Sequence, residues 1–378
     1  FFIIVKKYLS ICITHSFQDL ASPKSKTLFN GYHLMVTSKG IFSLTPKLTQ
    51  IANSYIFTES QRFSTNIDQM KNTINQVEIS QFSMEDSGKE YIILYANNFI
   101  YFLSQYGKVQ FFQELDEDNQ IETENSITLI AYKYYNGDYY FILGHNKDSP
   151  YIQFYYYKII NRNQIVLIYK NQIQSSNVVI TDGISCHAMI HLNNSKFLTC
   201  ILNNRESGSN YITAFSLDPD MGFSYVKMSN SLLEGDNHSV KYFRTSIDID
   251  MKYFLICYTI ESPNKLKCCY YNSVENKIYD VFYNSTSCGT KLYAFNTYYF
   301  KDSNEYVVSC LDNQKLKFSM ERISSEFSLI DNEDNTFEEK TFSGCYTLTY
   351  FSIIYISAFG QYSGIFDSNC EGGNNARI

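Results

Sequence analysis

The chain has 378 residues, 44% hydrophobic and 18% charged, a balance that excludes a disordered chain and supplies a large core. Its net charge is −7 with no long Lys/Arg run, which excludes the basic face that nucleic-acid binding normally uses. No stretch reaches the ~18 consecutive apolar residues of a membrane helix, so no transmembrane segment is expected in this chain.

The opening "FFIIVKKYLSICITHS" supports two readings. Residues 1–23 are either the remnant of a leader, with Lys6-Lys7 interrupting its apolar part, or a ring-closing strand. Residues 24–370 read as one β domain and 371–378 as a polar tail. Aromatics make up 17% of the chain, with 34 Tyr, 29 Phe and no Trp. Tyr and Phe suit a pleated, half-buried surface and so favour strands.

A hairpin pattern then recurs. Apolar runs begin at His33, Tyr91, Tyr139, Phe197, Tyr253, Tyr306 and Ile353, at steps of 58, 48, 58, 56, 53 and 47 residues. Each is followed by a turn mixture such as "KG", "NN" or "HNKDSP" and a second run such as "FIYFLS" or "KLKCCYY". Earlier runs such as "SITLIAY" and later ones such as "NQIVLIYK" bring each unit to about four strands in roughly 50 residues, the size of a propeller blade. The predicted fold is therefore all-β, a β-propeller of seven blades with four antiparallel strands each. Six or eight blades, and a meander folded into a sandwich, are the competing readings. The last unit, "YTLTYF", "IIYISA" and "GIFD", lacks an outer strand, which "FFIIV" or "LSICIT" is placed to supply.

Ten cysteines are present, with no CxxC and no zinc spacing. Cys200, Cys257 and Cys310 fall at the end of the predicted second strand in three successive units. Cys186 lies opposite Cys200 about the turn "LNNSK", and Cys288 lies upstream of Cys310 at longer range. In the middle unit Cys268 and Cys269 point to opposite faces, and Cys268 is favoured as the partner of Cys257. Cys370 pairs with Cys12 across the ring or with Cys345 within its unit. Disulfides place the chain in an oxidising compartment; ten reduced, buried thiols are the competing reading. The pattern resembles secreted or cell-surface β-propellers whose blades carry intrablade disulfides, a likeness of architecture that implies an extracellular setting.

Sequons for glycosylation occur at Asn193, Asn237 and Asn284, as expected of a glycoprotein but also by chance in an Asn-rich chain. "SLDPDMGF" sets Asp218, Asp220 and Gly222 like the start of a calcium loop, and Asp248 and Asp250 share a strand face. Turn residues are the preferred reading of both. No catalytic, cofactor-binding or metal residue is assigned, and no cofactor is expected. The expected role is non-enzymatic: protein–protein recognition through propeller loops, with Thr58–Gln76 and Asn230–Ser239 as contact candidates. The partner's identity is open, as is membership of a larger surface protein. A propeller glycosidase or glycan-binding protein is the first alternative and an intracellular scaffold the second.

Overall fold

The computed structural model describes residues 17–18, 24–27, 33–37, 40–51, 54–63, 77–83, 90–105, 107–122, 127–147, 151–174, 179–190, 195–206, 209–228, 232–233, 240–248, 250–261, 264–285, 295–300, 303–312, 317–330, 345–356, 361–370 and 373–377. Among these residues seven antiparallel sheets form. Apart from the lone first strand β1 (Phe17–Gln18), the strands follow in chain order. Sheet 1 holds β2 (Lys24–Thr27), β3 (His33–Thr37), β4 (Gly40–Ile51) and β5 (Ser54–Phe63). Sheet 2 holds β6 (Val77–Ser83), β7 (Glu90–Ala96), β8 (Phe99–Ser104) and β9 (Val109–Glu114). Sheet 3 holds β10 (Ile127–Tyr135), β11 (Asp138–Lys147), β12 (Tyr151–Ile160) and β13 (Gln164–Gln174). Sheet 4 holds β14 (Val179–Ile190), β15 (Lys196–Glu206), β16 (Ser209–Asp218), β17 (Ser224–Met228) and the two-residue β18 (Leu232–Leu233). Sheet 5 holds β19 (Val240–Ile247), β20 (Tyr253–Glu261), β21 (Asn264–Asn272) and β22 (Lys277–Ser285). Sheet 6 holds β23 (Phe295–Phe300), β24 (Glu305–Asp312) and β25 (Lys317–Ser324). Sheet 7 holds β26 (Cys345–Ile356), β27 (Gln361–Cys370) and β28 (Gly373–Arg377), and β1 completes it beside β28.

Local chemistry explains the hairpins. Asn97 and Asn98 sit at φ 48° and 67° in the two-residue turn between β7 and β8; Asn136 and Gly137 sit at 49° and 85° between β10 and β11. Two left-handed residues give the turn whose twist matches paired strands, and Asn and Gly tolerate that region best. Burial then sorts the strands. Tyr91 to Ala96 are all buried, as a second strand covered on both faces must be. In β9 half-buried and exposed positions alternate, as expected of an outer strand with one wet face.

The core is a series of layers between successive sheets. Leu34 of sheet 1 packs with Ile79, Ile92 and Leu94 of sheet 2. Tyr91 and Phe102 of sheet 2 meet Tyr139 of sheet 3, with ring centroids 5.2 and 4.9 Å apart. Further layers join sheets 3 and 4, 4 and 5, and 5 and 6. The first strands lie against one another in turn: β6 on β10, β10 on β14, β14 on β19, β19 on β23, β23 on β26, and β26 on β2. Leu34 closes that sequence from sheet 1 to sheet 2. Four-stranded sheets with their first strands gathered around an axis form a β-propeller, which buries both sheet faces and leaves short edges.

Hydroxyl groups tie these inner strands together. Ser80 Oγ accepts from Ala131 N at 2.7 Å. Thr128 Oγ1 accepts from Cys186 N at 3.0 Å and donates to Cys186 O at 3.3 Å. Ser185 Oγ and Thr245 Oγ1 lie 2.6 Å apart. These hydroxyls are satisfied by the neighbouring sheet, whereas the buried Ser246 Oγ on β19 has no hydrogen-bond partner among the described residues.

The structure revises several strand readings. The runs at His33, Tyr91, Tyr139, Phe197, Tyr253 and Tyr306 are second strands, but Ile353 belongs to the long first strand β26, together with "YTLTYF". No Gly, Pro, Asn or Asp separates those two runs, so nothing breaks the strand. Cys200 and Cys257 lie within β15 and β20 rather than at their ends, because pairing continues into the expected turn residues. Thr58–Phe63 extends β5, so that part of the contact-loop reading is strand; residues 64–76 lie outside the described residues. The runs "FFIIV" and "LSICIT" also lie outside them, and Phe17–Gln18 is the segment that pairs with Ala376 and Asn375. The acidic stretch at Glu114–Asn119 is an anchored connection. Leu115 and Ile121 enter the core, and Ile121 N donates to Asn98 Oδ1 at 2.8 Å.

Candidate interaction face

Antiparallel order sends turns between first and second strands, and between third and fourth, to the same end of every sheet. Tyr135–Asp138, Asn161–Asn163, Asp218–Phe223, Asp248–Lys252 and Ser273–Asn276 therefore share one end of the propeller. Where sheets 3 and 4 meet there, the side chains form a braced patch.

Its centre is the turn that joins β16 to β17. Pro219–Met221 makes one 3₁₀ turn, capped by Asp218 Oδ1 accepting from Asp220 N at 3.0 Å. Gly222 follows at φ 67°, a left-handed position suited to glycine, and its carbonyl accepts from Asn171 Nδ2 of sheet 3 at 2.8 Å. Asp220 receives Lys133 Nζ at 2.5 Å and Tyr156 OH at 3.4 Å, both also from sheet 3. Lys133 Nζ lies 5.4 Å from the ring centroids of both Tyr132 and Tyr140, within cation–π range. Phe223 is buried against Phe154, with centroids 5.1 Å apart.

Burial foremost, and then the Asp220 charge, push the Tyr132, Tyr156 and Tyr169 phenols far above the usual tyrosine range. They remain neutral at any physiological pH; Tyr132 donates to Lys196 O and Tyr156 to Asp220, and all three rings serve as apolar walls. Above this base stand Met221, 70% exposed, and Tyr135, 60% exposed. The braced turn presents the Met221 thioether beside the Lys133–Asp220 pair, and Tyr135 ends β10 at the same end of the propeller.

A second polar region lies toward the axis. Arg244 on β19 is exposed to solvent, yet burial by the protein around it pushes its guanidinium below the usual range, opposed by the Glu78 carboxylate and by Tyr298. Glu78, Arg244 and Tyr298 come from the first strands of sheets 2, 5 and 6, so the topology gathers them from distant parts of the chain. Next to Arg244, Thr245 Oγ1 lies 3.2 Å from His187 Nε2, and the His187 ring meets Phe254 edge-on at 4.4 Å.

The sequence candidates are placed as follows. Cys186 and Cys200 are direct partners between β14 and β15, joined at S–S 2.08 Å with Cα atoms 4.0 Å apart. Cys257 and Cys268 are direct partners between β20 and β21, also at 2.08 Å. Cys269 takes no part in either bond; it packs between sheets 4 and 5, whereas Cys268 packs between sheets 5 and 6. Cys310 faces Phe295 on one side and Ser319 on the other. Cys345 is the Cα partner of Cys370. Cys12 and Cys288 lie outside the described residues, as do Asn193 and Asn237. Asn284 lies on the outer strand β22, opposite Lys267.

Asp248 closes the turn before β20, where Oδ1 accepts from the backbone N–H groups of Lys252 and Tyr253 at 2.8 Å each. Burial raises its carboxyl above the usual range, opposed by those two N–H groups. Raised affinity for a proton in the native state means stability present in acid and lost as pH climbs through the raised value. Asp248→Asn keeps an Oδ1 for both donors and removes the charge. The variant is expected to be more stable than the parent at pH 7, with the gap closing as pH falls toward the ordinary aspartate value of about 4. Urea midpoints measured at several pH values check this; a variant that loses stability equally at every pH contradicts it.

Among the described residues no group of three or more His, Cys, Asp or Glu side chains converges to hold a metal ion, and no helix is long and apolar enough to cross a membrane.

No family model matches the chain, and no curated protein matches its sequence. Among solved structures it is similar to the WD40 domain of SCAP from fission yeast, at 10% identity and TM-score 0.46 over 98% of this chain and 93% of that one. It is similar to BBS1N in complex with ARL6DN, at 10% identity and TM-score 0.44 over 97% and 96% of the two chains. A protein from Lactobacillus plantarum shares 9% identity at TM-score 0.45 over 82% of this chain and 83% of its own. The chain described here is an all-β protein of propeller architecture.

Proposed function

We propose that the chain is a non-enzymatic binding module: a single seven-bladed propeller domain, secreted or displayed at the cell surface, that holds a protein partner on its turn face. The observation that carries this reading is the braced turn between sheets 3 and 4, which presents exposed Met221, with exposed Tyr135 at the end of β10 on the same end of the propeller. Tyr135 offers a large amphipathic ring with few rotatable bonds, and Met221 a polarizable side chain that adapts to a partner's surface. Two hairpins closed by Cys186–Cys200 and Cys257–Cys268 support an oxidising setting. In that setting Asn193, Asn237 and Asn284 are available for glycosylation.

The test is capture from extracellular and cell-surface fractions with parent protein, followed by affinity measurement with the captured partner. Tyr135→Ala with Met221→Asp is expected to weaken binding ~10–100-fold, the range expected when interface anchors are truncated. Equal affinity for parent and double variant, with both folded, would remove the turn face from the reading.

A further inference from the structure

We propose a third intrablade disulfide, Cys345–Cys370, that locks the sheet in which the two chain ends meet. It rests on the oxidising setting proposed above.

The argument starts from register. In both bonded hairpins the cysteines are direct Cα partners on adjacent antiparallel strands: Cys186 with Cys200 and Cys257 with Cys268. Cα separations of 4.0 and 4.1 Å accompany those pairs. Opposed residues on antiparallel strands stand closest at the non-hydrogen-bonded positions, which lets their sulfurs meet. β26 and β27 likewise make Cys345 and Cys370 direct Cα partners, with a register irregularity between Cys345 and Thr347. Like Cys186 and Cys200, they join the first and second strands of a sheet. A pair set 25 residues apart in sequence has no reason to fall in direct register by chance. The strand on the other side of Cys370 offers Gly373, so Cys345 is its one directly opposed cysteine.

The location gives the bond its purpose. Cys370 is the last residue of β27, and the chain turns there into β28. Among the described residues that strand carries β1 through two Cα pairs, Phe17 with Ala376 and Gln18 with Asn375. A sheet closed by so short a pairing is where a ring would open first. Joining β26 to β27 beside it holds the strand on which closure depends.

The chemistry is thiol–disulfide exchange. A disulfide oxidant takes the Cys370 thiol into a mixed disulfide and releases one thiol. The Cys345 thiolate then attacks the Cys370 sulfur and expels the second. Two cysteine thiols become one disulfide, and the oxidant's disulfide becomes two thiols, carrying away two electrons and two protons.

The experiment refolds the full chain in oxidised and reduced glutathione, alkylates it without reductant, and maps peptides. Tryptic cleavage after Lys340 and Arg377 yields one peptide, Thr341–Arg377, that holds Cys345 and Cys370 and no other cysteine. The expected result is that peptide unalkylated and two hydrogens lighter than its reduced form. Cleavage before Asp367 then leaves its two fragments joined until reductant is added. In a Cys12→Ser variant the bond persists, and Cys345→Ser/Cys370→Ser lowers Tm by about 5 °C. Alkylation of both cysteines, or linkage of Cys370 to Cys12, overturns the inference. If Cys186–Cys200 and Cys257–Cys268 form in the same sample while these thiols are alkylated, this inference alone fails. If none of the three bonds forms, the oxidising-compartment reading fails with it.

Discussion

Replacing Phe102 with alanine is expected to lower the unfolding free energy by about 3–5 kcal/mol, the range for a buried Phe cut back to its Cβ. Phe102 has no exposed surface. Its ring stacks on Tyr91 of the same sheet at 5.3 Å and meets Tyr139 of the next sheet at 4.9 Å. The deletion therefore empties a layer that two sheets share, and neither can close the gap without moving its whole ladder. Phe112, ten residues on, is the internal control. It lies on the outer strand, 36% exposed, and rests on Tyr101 at 5.5 Å. Phe112→Ala is expected to cost well under half as much, because most of the hole it leaves is open to water. Urea denaturation of both variants reads the difference as a shift of midpoint at constant slope. Equal losses would mean that the layer between sheets 2 and 3 is not where stability resides.

The second large effect is redox. Cys186 and Cys200 close a loop of 14 residues between sheet partners, and loops of about that size stabilise by ~3 kcal/mol through restriction of the unfolded chain. Cys186→Ala with Cys200→Ala is expected to lose that amount under oxidising conditions, and reductant then costs this variant less than it costs the parent, because only the remaining disulfides are left to break. Cys257→Ala with Cys268→Ala is expected to behave likewise. The bonds lie in separate layers, between sheets 3 and 4 and between sheets 5 and 6, so the two losses should add. Thermal unfolding with and without reductant, alongside a thiol count, measures both. A parent whose Tm ignores reductant, and whose ten cysteines all react without it, would show that these sulfurs are ordinary buried thiols.

Much of the framework was legible from residue pattern because strand burial is a local property. Six of the seven apolar runs are second strands: a strand covered on both faces must be apolar throughout, and that shows in a single stretch. The exception, Ile353, shows the limit. An apolar run without a breaker reads the same whether it is a whole strand or the second half of a longer one. The register of Cys186 with Cys200 followed from symmetry about a short turn, which needs no knowledge of the rest of the fold.

The patch and the axial group were not legible. Asp218 and Asp220 were visible as a turn, but Lys133 and Tyr156, which meet Asp220, are 87 and 64 residues away in sequence. Arg244 is a single charge within a strand, and Ser80, Thr128, Ser185 and Thr245 are single polar residues within strands, with no local feature to set them apart. Nothing local marks a hydroxyl whose partner is the next sheet's backbone.

The order of residues along this chain, by itself, determined strand content, hairpin turns, repeat spacing and which cysteines face each other across a turn. Each depends on contacts within some tens of residues, where side-chain alternation and turn chemistry act directly. Only the tertiary structure decided that the last sheet is completed by Phe17–Gln18, that the turn carrying Met221 is braced by Lys133 and Tyr156 of sheet 3, and that Arg244 and Glu78 stand on first strands gathered about one axis. Those relations come from how sheets stack around a common centre. Stacking brings together residues that no periodicity in the sequence connects.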